Sequence, residues 1–258
     1  MAANNYSLAT GSTGAERLAV LHAAMWPSTR HILEQAELRQ GMSFLDVGCG
    51  IGLVTASATE MGVTAMGVDL DEGFIETARK AHPQISFKVQ SVDELTSLNQ
   101  RYDFVYARYL LSHLKNPAAA VQGMISATKA GGTLVLEDVD FGYAIPRADC
   151  LRRYDDLYRA VVRVRGGDAL LGRHLAKMLT DAGLVDIHER VQLTLAEGES
   201  RRLTSMTLSG IAGSILKEGL AEEQELNRLY NDIYQLENDP DVEIGVAPTY
   251  QVWGRIPT

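Results

Sequence analysis

Cysteine is scarce in this 258-residue chain: Cys49 and Cys150 are the only two. Two lone thiols do not make a disulfide framework, and they point to a reduced compartment. Long apolar runs are missing as well. No stretch approaches the ~18 consecutive apolar residues of a membrane-spanning helix, and the opening Met1-Ala2-Ala3-Asn4-Asn5-Tyr6 lacks the pattern of a secretory signal. A cytoplasmic protein without membrane attachment is the expectation. Positive charge is in short supply too, with 24 Lys and Arg against 33 Asp and Glu and a net charge of −9. The basic residues are scattered apart from short pairs such as Arg152-Arg153 and Arg201-Arg202, which read as solvated helix faces. No basic stripe is left for general nucleic-acid binding. Histidine, cysteine and acids do not cluster at ligand spacing, so no metal is expected.

What is present suits one α/β domain with a cap, because 46% of the residues are hydrophobic and only 22% are charged. Residues 14–38 carry apolar positions at helical spacing, interrupted at Pro27, and predict two helices. Strands are expected at 43–47, 64–68, 85–89, 103–107 and 133–137. Helices are expected at 53–61, 72–82 and from Pro117 to about Lys129, the last closed by Gly131-Gly132. This alternation predicts a mainly parallel sheet covered on both faces. After Pro146 the pattern becomes helical (148–165, 169–182, 203–217, 221–236), with strands at 185–195 and 250–255 that join the sheet edge antiparallel.

The most informative stretch is Leu45-Asp46-Val47-Gly48-Cys49-Gly50-Ile51-Gly52, followed by Gly67-Val68-Asp69-Leu70-Asp71. An apolar strand runs into three glycines that let backbone approach a ligand where a Cβ would collide. An acid at the tip of the next strand, Asp69, can hold two ribose hydroxyls. The ligand is therefore adenosine-containing. The spacing is G-x-G-x-G rather than the G-x-G-x-x-G of dinucleotide enzymes. Asp46 just before the loop repels a phosphate but suits an ammonium group, which favours a ligand with an amino-acid end.

These residues resemble motif I and the following acidic motif of the class I S-adenosylmethionine-dependent methyltransferases. Two further segments resemble that family's fourth- and fifth-strand regions: Tyr102-Asp103-Phe104-Val105-Tyr106-Ala107-Arg108 with Ser112-His113-Leu114-Lys115-Asn116-Pro117, and Ala130-Gly131-Gly132-Thr133-Leu134-Val135-Leu136-Glu137. The likeness spans roughly residues 40–140. Looser similarity to a bacterial small-molecule subgroup lies in Tyr6-Ser7-Leu8, Gly14-Ala15-Glu16-Arg17-Leu18, Glu137 to Phe141, Gly166-Gly167-Asp168 and Tyr250 to Arg255.

The resemblance implies a Rossmann-like, doubly wound, mostly parallel seven-stranded sheet with an antiparallel C-terminal edge and a helical cap. It implies a single domain over 1–258: a helical lid (1–40), a cofactor-binding core (41–140), then substrate-covering helices with the last two strands (141–258). Its cofactor would be S-adenosyl-L-methionine. Gly48, Gly50 and Gly52 would border the methionine part, Asp46 its amino group, and Asp69 the ribose. Leu70 would pack on the adenine. Ser91 and Val92 stand where the family often has an adenine-contacting Asp, and a role for Asp93 is less direct. Arg108 could pair with the methionine carboxylate, as a guanidinium fork suits it, or form a structural salt bridge.

His113 leads the six histidines as a catalytic candidate because it follows the fourth strand at the ligand-binding end of the sheet. A buried histidine bonded to backbone is the alternative. Asp138, with Glu137 and Asp140, could orient an acceptor. Tyr6, Trp26, Phe141 and Tyr143 could form aromatic walls. Arg165 and His174 lie on tail helices, more in keeping with helical surface. Cys49 reads as a small packed residue, Asp71 as a helix N-cap and Asp103 as a strand cap. The expected reaction is methyl transfer to O, N or C of a small molecule. The alternatives are a protein that binds the cofactor without transfer, as regulator or cyclisation catalyst, and a nicotinamide-dependent oxidoreductase. The oligomeric state stays open, a homodimer among the options.

Overall fold

The computed structural model describes residues 11–258, with side chains from Gly14 onward. The expectation for Tyr6 therefore lies outside the described residues. Seven strands form one sheet: β1 (Ser43–Val47), β2 (Thr64–Asp69), β3 (Ser86–Val89), β4 (Tyr102–Arg108), β5 (Thr128–Val139), β6 (Val185–Gln192) and β7 (Thr249–Arg255). Their order is β3-β2-β1-β4-β5-β7-β6. The first five are parallel, and β7 pairs antiparallel with both β5 and β6. The strand order reverses between β1 and β4, and a crevice opens there at the carboxyl ends of the strands.

The central strands bury both faces, as expected of a covered parallel sheet. Phe44, Phe104, Tyr106 and Val135 turn to one side, against Ile32 and Leu33 of α1 (Gly11–Gln35) and Ala58 of α2 (Leu53–Glu60). Leu45, Val47, Val105 and Leu134 turn to the other, against α4 (Pro117–Ala127) and α6 (Leu175–Asp181), while α3 (Glu72–Ala81) packs beside β3. The tail helices α5 (Asp149–Val164), α7 (Leu203–Lys217) and α8 (Glu223–Asn238) build a separate apolar cluster with Val139 and Phe141. That cluster is the cap.

Three expectations need correction. The helix interrupted at Pro27 is continuous through α1. Pro27 and Ala23, whose carbonyl loses its partner, are both exposed, so water takes the freed acceptor, while Met25, Thr29, Ile32 and Leu33 hold the buried face. Gly131-Gly132 does not end α4, which stops at Ala127. The pair lies in an irregularity of β5 between the Tyr102–Thr128 and Phe104–Thr133 pairings. A Cβ at Gly132 would lie 2.9 Å from two carbonyl oxygens, those of Asp103 and Lys129. Residues 169–182 likewise split into a 3-10 turn (Leu171–His174) and α6.

Candidate functional site

A cavity of about 510 Å³ lies over the carboxyl ends of β1, β2 and β4, under α1 and the cap. Its floor is the turn after β1. The Gly48 and Cys49 amides both donate to Val68 O, at 2.8 and 3.0 Å, which closes the turn onto β2. Gly48, Gly50 and Gly52 all have positive φ, at +74°, +54° and +81°, a region open to glycine at no steric cost. Of these three, Gly48 and Gly50 line the cavity. Gly52 faces the protein: a Cβ there would sit 2.6 Å from the Phe87 ring, so this glycine serves helix–strand packing rather than a ligand.

Asp69 at the end of β2 faces the same cavity. One carboxylate oxygen accepts from Gly50 N at 2.8 Å and the other from Asp71 N at 2.9 Å, which aims the group without using up its lone pairs. Asp71 caps α3, its carboxylate accepting from Phe74 N. Leu70 is 59% exposed, an apolar side chain presented to the cavity. Ser91, Val92 and Asp93 also line it, and Ser91 Oγ accepts from Asp93 N at 3.2 Å.

Asp46 is buried beneath the turn, where Thr55 Oγ1 donates to it at 2.7 Å. Burial pushes its carboxyl up to about 6, against the pull of Thr55 and the Arg108 guanidinium. Arg108 donates to Thr29 Oγ1 at 3.2 Å and lies 3.5 Å from His22 Nδ1. Among the described residues no carboxylate stands within salt-bridge distance of it, so the structural ion pair is not formed. His22 is held at about 4 by burial and by Arg108.

His113 lines the cavity below α1. Burial lowers it to about 4, and the charges of Arg17 and Arg165 push the same way, so the imidazole is neutral near pH 7. Phe141 and Tyr143 also face the cavity, Phe141 stacked on Tyr158 at 3.9 Å between centroids. Trp26 and Asp138 do not line it. The Trp26 ring stacks on His22, and both Asp138 oxygens accept backbone amides, from Ser112 and Val139 at 2.9 Å each. Asp140 is paired with Arg173 at 2.6 Å, His174 is exposed, and burial raises the Cys49 thiol well above its usual range.

Sequence reasoning missed Arg17, Tyr154, Asp155 and Tyr158, all in the cavity wall. The last three, with Leu151, form an i, i+3, i+4, i+7 stripe on α5. That stripe was legible, but nothing local says which surface it faces.

Among the described residues no group of His, Cys, Asp and Glu is arranged to hold a metal, and no helix is long and apolar enough to cross a membrane. A family model described as a methyltransferase domain matches residues 22–189. A ubiquinone biosynthesis O-methyltransferase of Coxiella burnetii is 30% identical over 112 residues, covering 42% of this chain and 48% of the relative. The chain thus spans about half the length of the curated relatives it matches. In fold it is similar to a Haemonchus contortus phosphoethanolamine N-methyltransferase 2 solved with S-adenosyl-L-methionine (TM-score 0.52, 18% identity, 99% of this chain and 55% of that one). It is also similar to the [4+2]-cyclase SpnF (TM-score 0.53, 17% identity, 99% and 85%). With the matched segment covering most of the chain and the strand order, the glycine turn and the acid at the end of β2 all in place, the chain belongs to the methyltransferase domain family, with the class I S-adenosylmethionine-dependent fold.

Proposed function

We propose that the cavity binds S-adenosyl-L-methionine and that the protein transfers its methyl group to an O, N or C atom of a small molecule. The observation that carries this reading is the convergence of Asp46, the Gly48–Gly50 backbone and Asp69 on one cavity. The residues fit the cofactor. Gly48, at φ +74°, brings bare backbone to the cavity wall, where a Cβ would also crowd Leu110 at 3.1 Å. The set offers an acid for an ammonium, an acid for two hydroxyls and an exposed leucine for a flat ring. No amide-rich helix start is needed for a diphosphate.

When bound, the cofactor supplies an electrophilic sulfonium methyl, whose transfer leaves a neutral thioether and, where the acceptor atom bore a hydrogen, releases a proton. The chain's own residues hold, orient and dry the site. Asp69 takes the ribose, Asp46 lies toward the amino group, and Arg108 supplies guanidinium donors for the carboxylate. Ser91 and Val92 border the adenine edge, with Leu70 on its face. Helix α1 and the cap close over the remainder. Alignment of two reactants in such a site is worth on the order of 7–11 kcal/mol relative to a bimolecular reaction in water. No strong base is required of His113, whose neutral imidazole is suited to hydrogen bonding.

The test is release of S-adenosylhomocysteine, read by mass spectrometry, from labelled cofactor and a panel of phenols, amines and carboxylic acids. Turnover with any of them supports transfer. Tight cofactor binding with no product across the panel favours the non-transferring alternative.

Asp46 also sets a pH dependence. Its folded pKa is raised, so the ammonium-binding carboxylate is present above about 6 and lost below it. Affinity for S-adenosylhomocysteine, measured by calorimetry, is expected to fall as the pH drops through about 6 in wild type. In Asp46→Asn the inflection disappears and affinity is uniformly low. A wild-type affinity flat across this window removes the amino-group assignment.

A further inference from the structure

The acceptor half of the cavity has a polarity of its own. Arg17 is 7% exposed, lines the cavity, and its Nε has no hydrogen-bond partner among the described residues. A buried guanidinium donor without a partner is costly, and the cost is removed when a ligand supplies an acceptor. Nor does any carboxylate lie within salt-bridge distance of Arg17 among the described residues. Arg165, at the carboxyl end of α5, lines the same cavity and donates to Ser214 Oγ at 2.6 Å. His113 lies between these two elements. Its loop is tied to the turn after α5 by the Asp168 N to Ser112 O bond of 2.9 Å, and a Cβ at Gly167 would lie 2.3 Å from Ser112 O. The surrounding wall is aromatic, from Phe141, Tyr154 and Tyr158.

The acid in this half, Asp155, is at the other end. Ten residues of α5 separate it from Arg165, about 15 Å along the helix axis. Burial pushes Asp155 up to about 7, so it opposes an anion weakly.

We propose that the acceptor is an anionic aromatic or similarly flat molecule, a phenolate, enolate or carboxylate, whose negative oxygen is held by Arg17 and Arg165 beside His113. This rests on the methyl-transfer reading above and deepens it. An ammonium or neutral amine acceptor would meet two guanidiniums at that end, where Glu218, the carboxylate whose charge acts on Arg165, does not line the cavity. An acidic O–H entering the site loses its proton to water, since His113 stays neutral between the two cations. The oxygen's lone pair then forms the new O–C bond as the C–S bond breaks. The guanidiniums act by stabilising the oxyanion, a charge-assisted contact in a water-poor site.

The experiment titrates benzoate, benzyl alcohol and benzylammonium into the protein saturated with S-adenosylhomocysteine, by calorimetry. Benzoate is expected to bind at least ~10-fold more tightly than benzyl alcohol, with benzylammonium weakest. Arg17→Gln and Arg165→Gln should each weaken benzoate about 10-fold and leave the S-adenosylhomocysteine affinity within about twofold, while Arg17→Lys recovers part of the preference. Equal binding of the three probes to wild type, or a preference for benzylammonium, overturns the proposal without reference to any variant. Arg17→Gln that weakens S-adenosylhomocysteine and spares benzoate also overturns it, assigning that guanidinium to the cofactor. Failure of wild type to bind S-adenosylhomocysteine at all instead overturns the reading on which the proposal rests.

Discussion

Asp69→Ala is expected to weaken S-adenosylhomocysteine binding by on the order of 100-fold or more in calorimetry. In the proposed site the carboxylate accepts two ribose hydroxyls, and a hydrogen bond to a charged group is worth roughly 1.5–3 kcal/mol. The same side chain holds the glycine turn through Gly50 N and starts α3 through Asp71 N, so alanine also loosens the floor of the cavity. Asp69→Asn separates the two effects. It keeps the shape and one acceptor oxygen but loses the charge, and its expected loss is about 10-fold. Burial already pushes the Asp69 carboxyl above its usual range, and among the described residues no cation stands within salt-bridge distance of it. An alanine variant with wild-type affinity eliminates the ribose assignment.

The second large effect is on stability, at a residue that reads as functional and is not part of the cavity wall. Glu137 is 1% exposed on β5. Tyr106 Oη donates to one of its oxygens at 2.5 Å and Gln251 Nε2 to the other at 2.6 Å. Gln251 in turn bonds Ser28 Oγ, which links β4, β5 and β7 to α1. Glu137→Ala orphans two buried donors and opens a cavity, at an expected cost of about 3–5 kcal/mol in urea denaturation. For a chain of this size that is a fall in midpoint temperature of roughly 10 °C. Glu137→Gln, which keeps the volume and one acceptor, should cost about 1–2 kcal/mol. An alanine variant within about 1 kcal/mol of wild type contradicts the network's structural weight.

Which acids work on a ligand and which on the fold is where sequence and structure part company. Glu137, Asp138 and Asp140 leave β5 together, and in sequence all three are candidates for the acceptor. In the fold Glu137 bonds two side chains, Asp138 two backbone amides, and Asp140 Arg173. Trp26 and Gly52 divide from their neighbours in the same way: Trp26 backs His22, while Arg17 of the same helix faces the cavity. Gly52 belongs to the glycine motif yet answers to Phe87, a contact set by the β2–β3 register.

Chain order and local pattern alone determined the strands, most of the helices, the glycine turn and Asp69, because these depend on backbone geometry and on residues close together in the sequence. Pro27 escaped that logic. Its helix survives because the buried face is held by contacts with β1 and β4, far along the chain, and solvent takes the freed carbonyl. The far wall of the cavity escaped it too: Arg17, Tyr154 and Arg165 join His113 in one cavity only after α1 and α5 fold over the sheet. A helical stripe carries its spacing in the sequence, but the surface it meets is chosen by burial across the whole chain, and so tertiary packing decided which charges line the cavity.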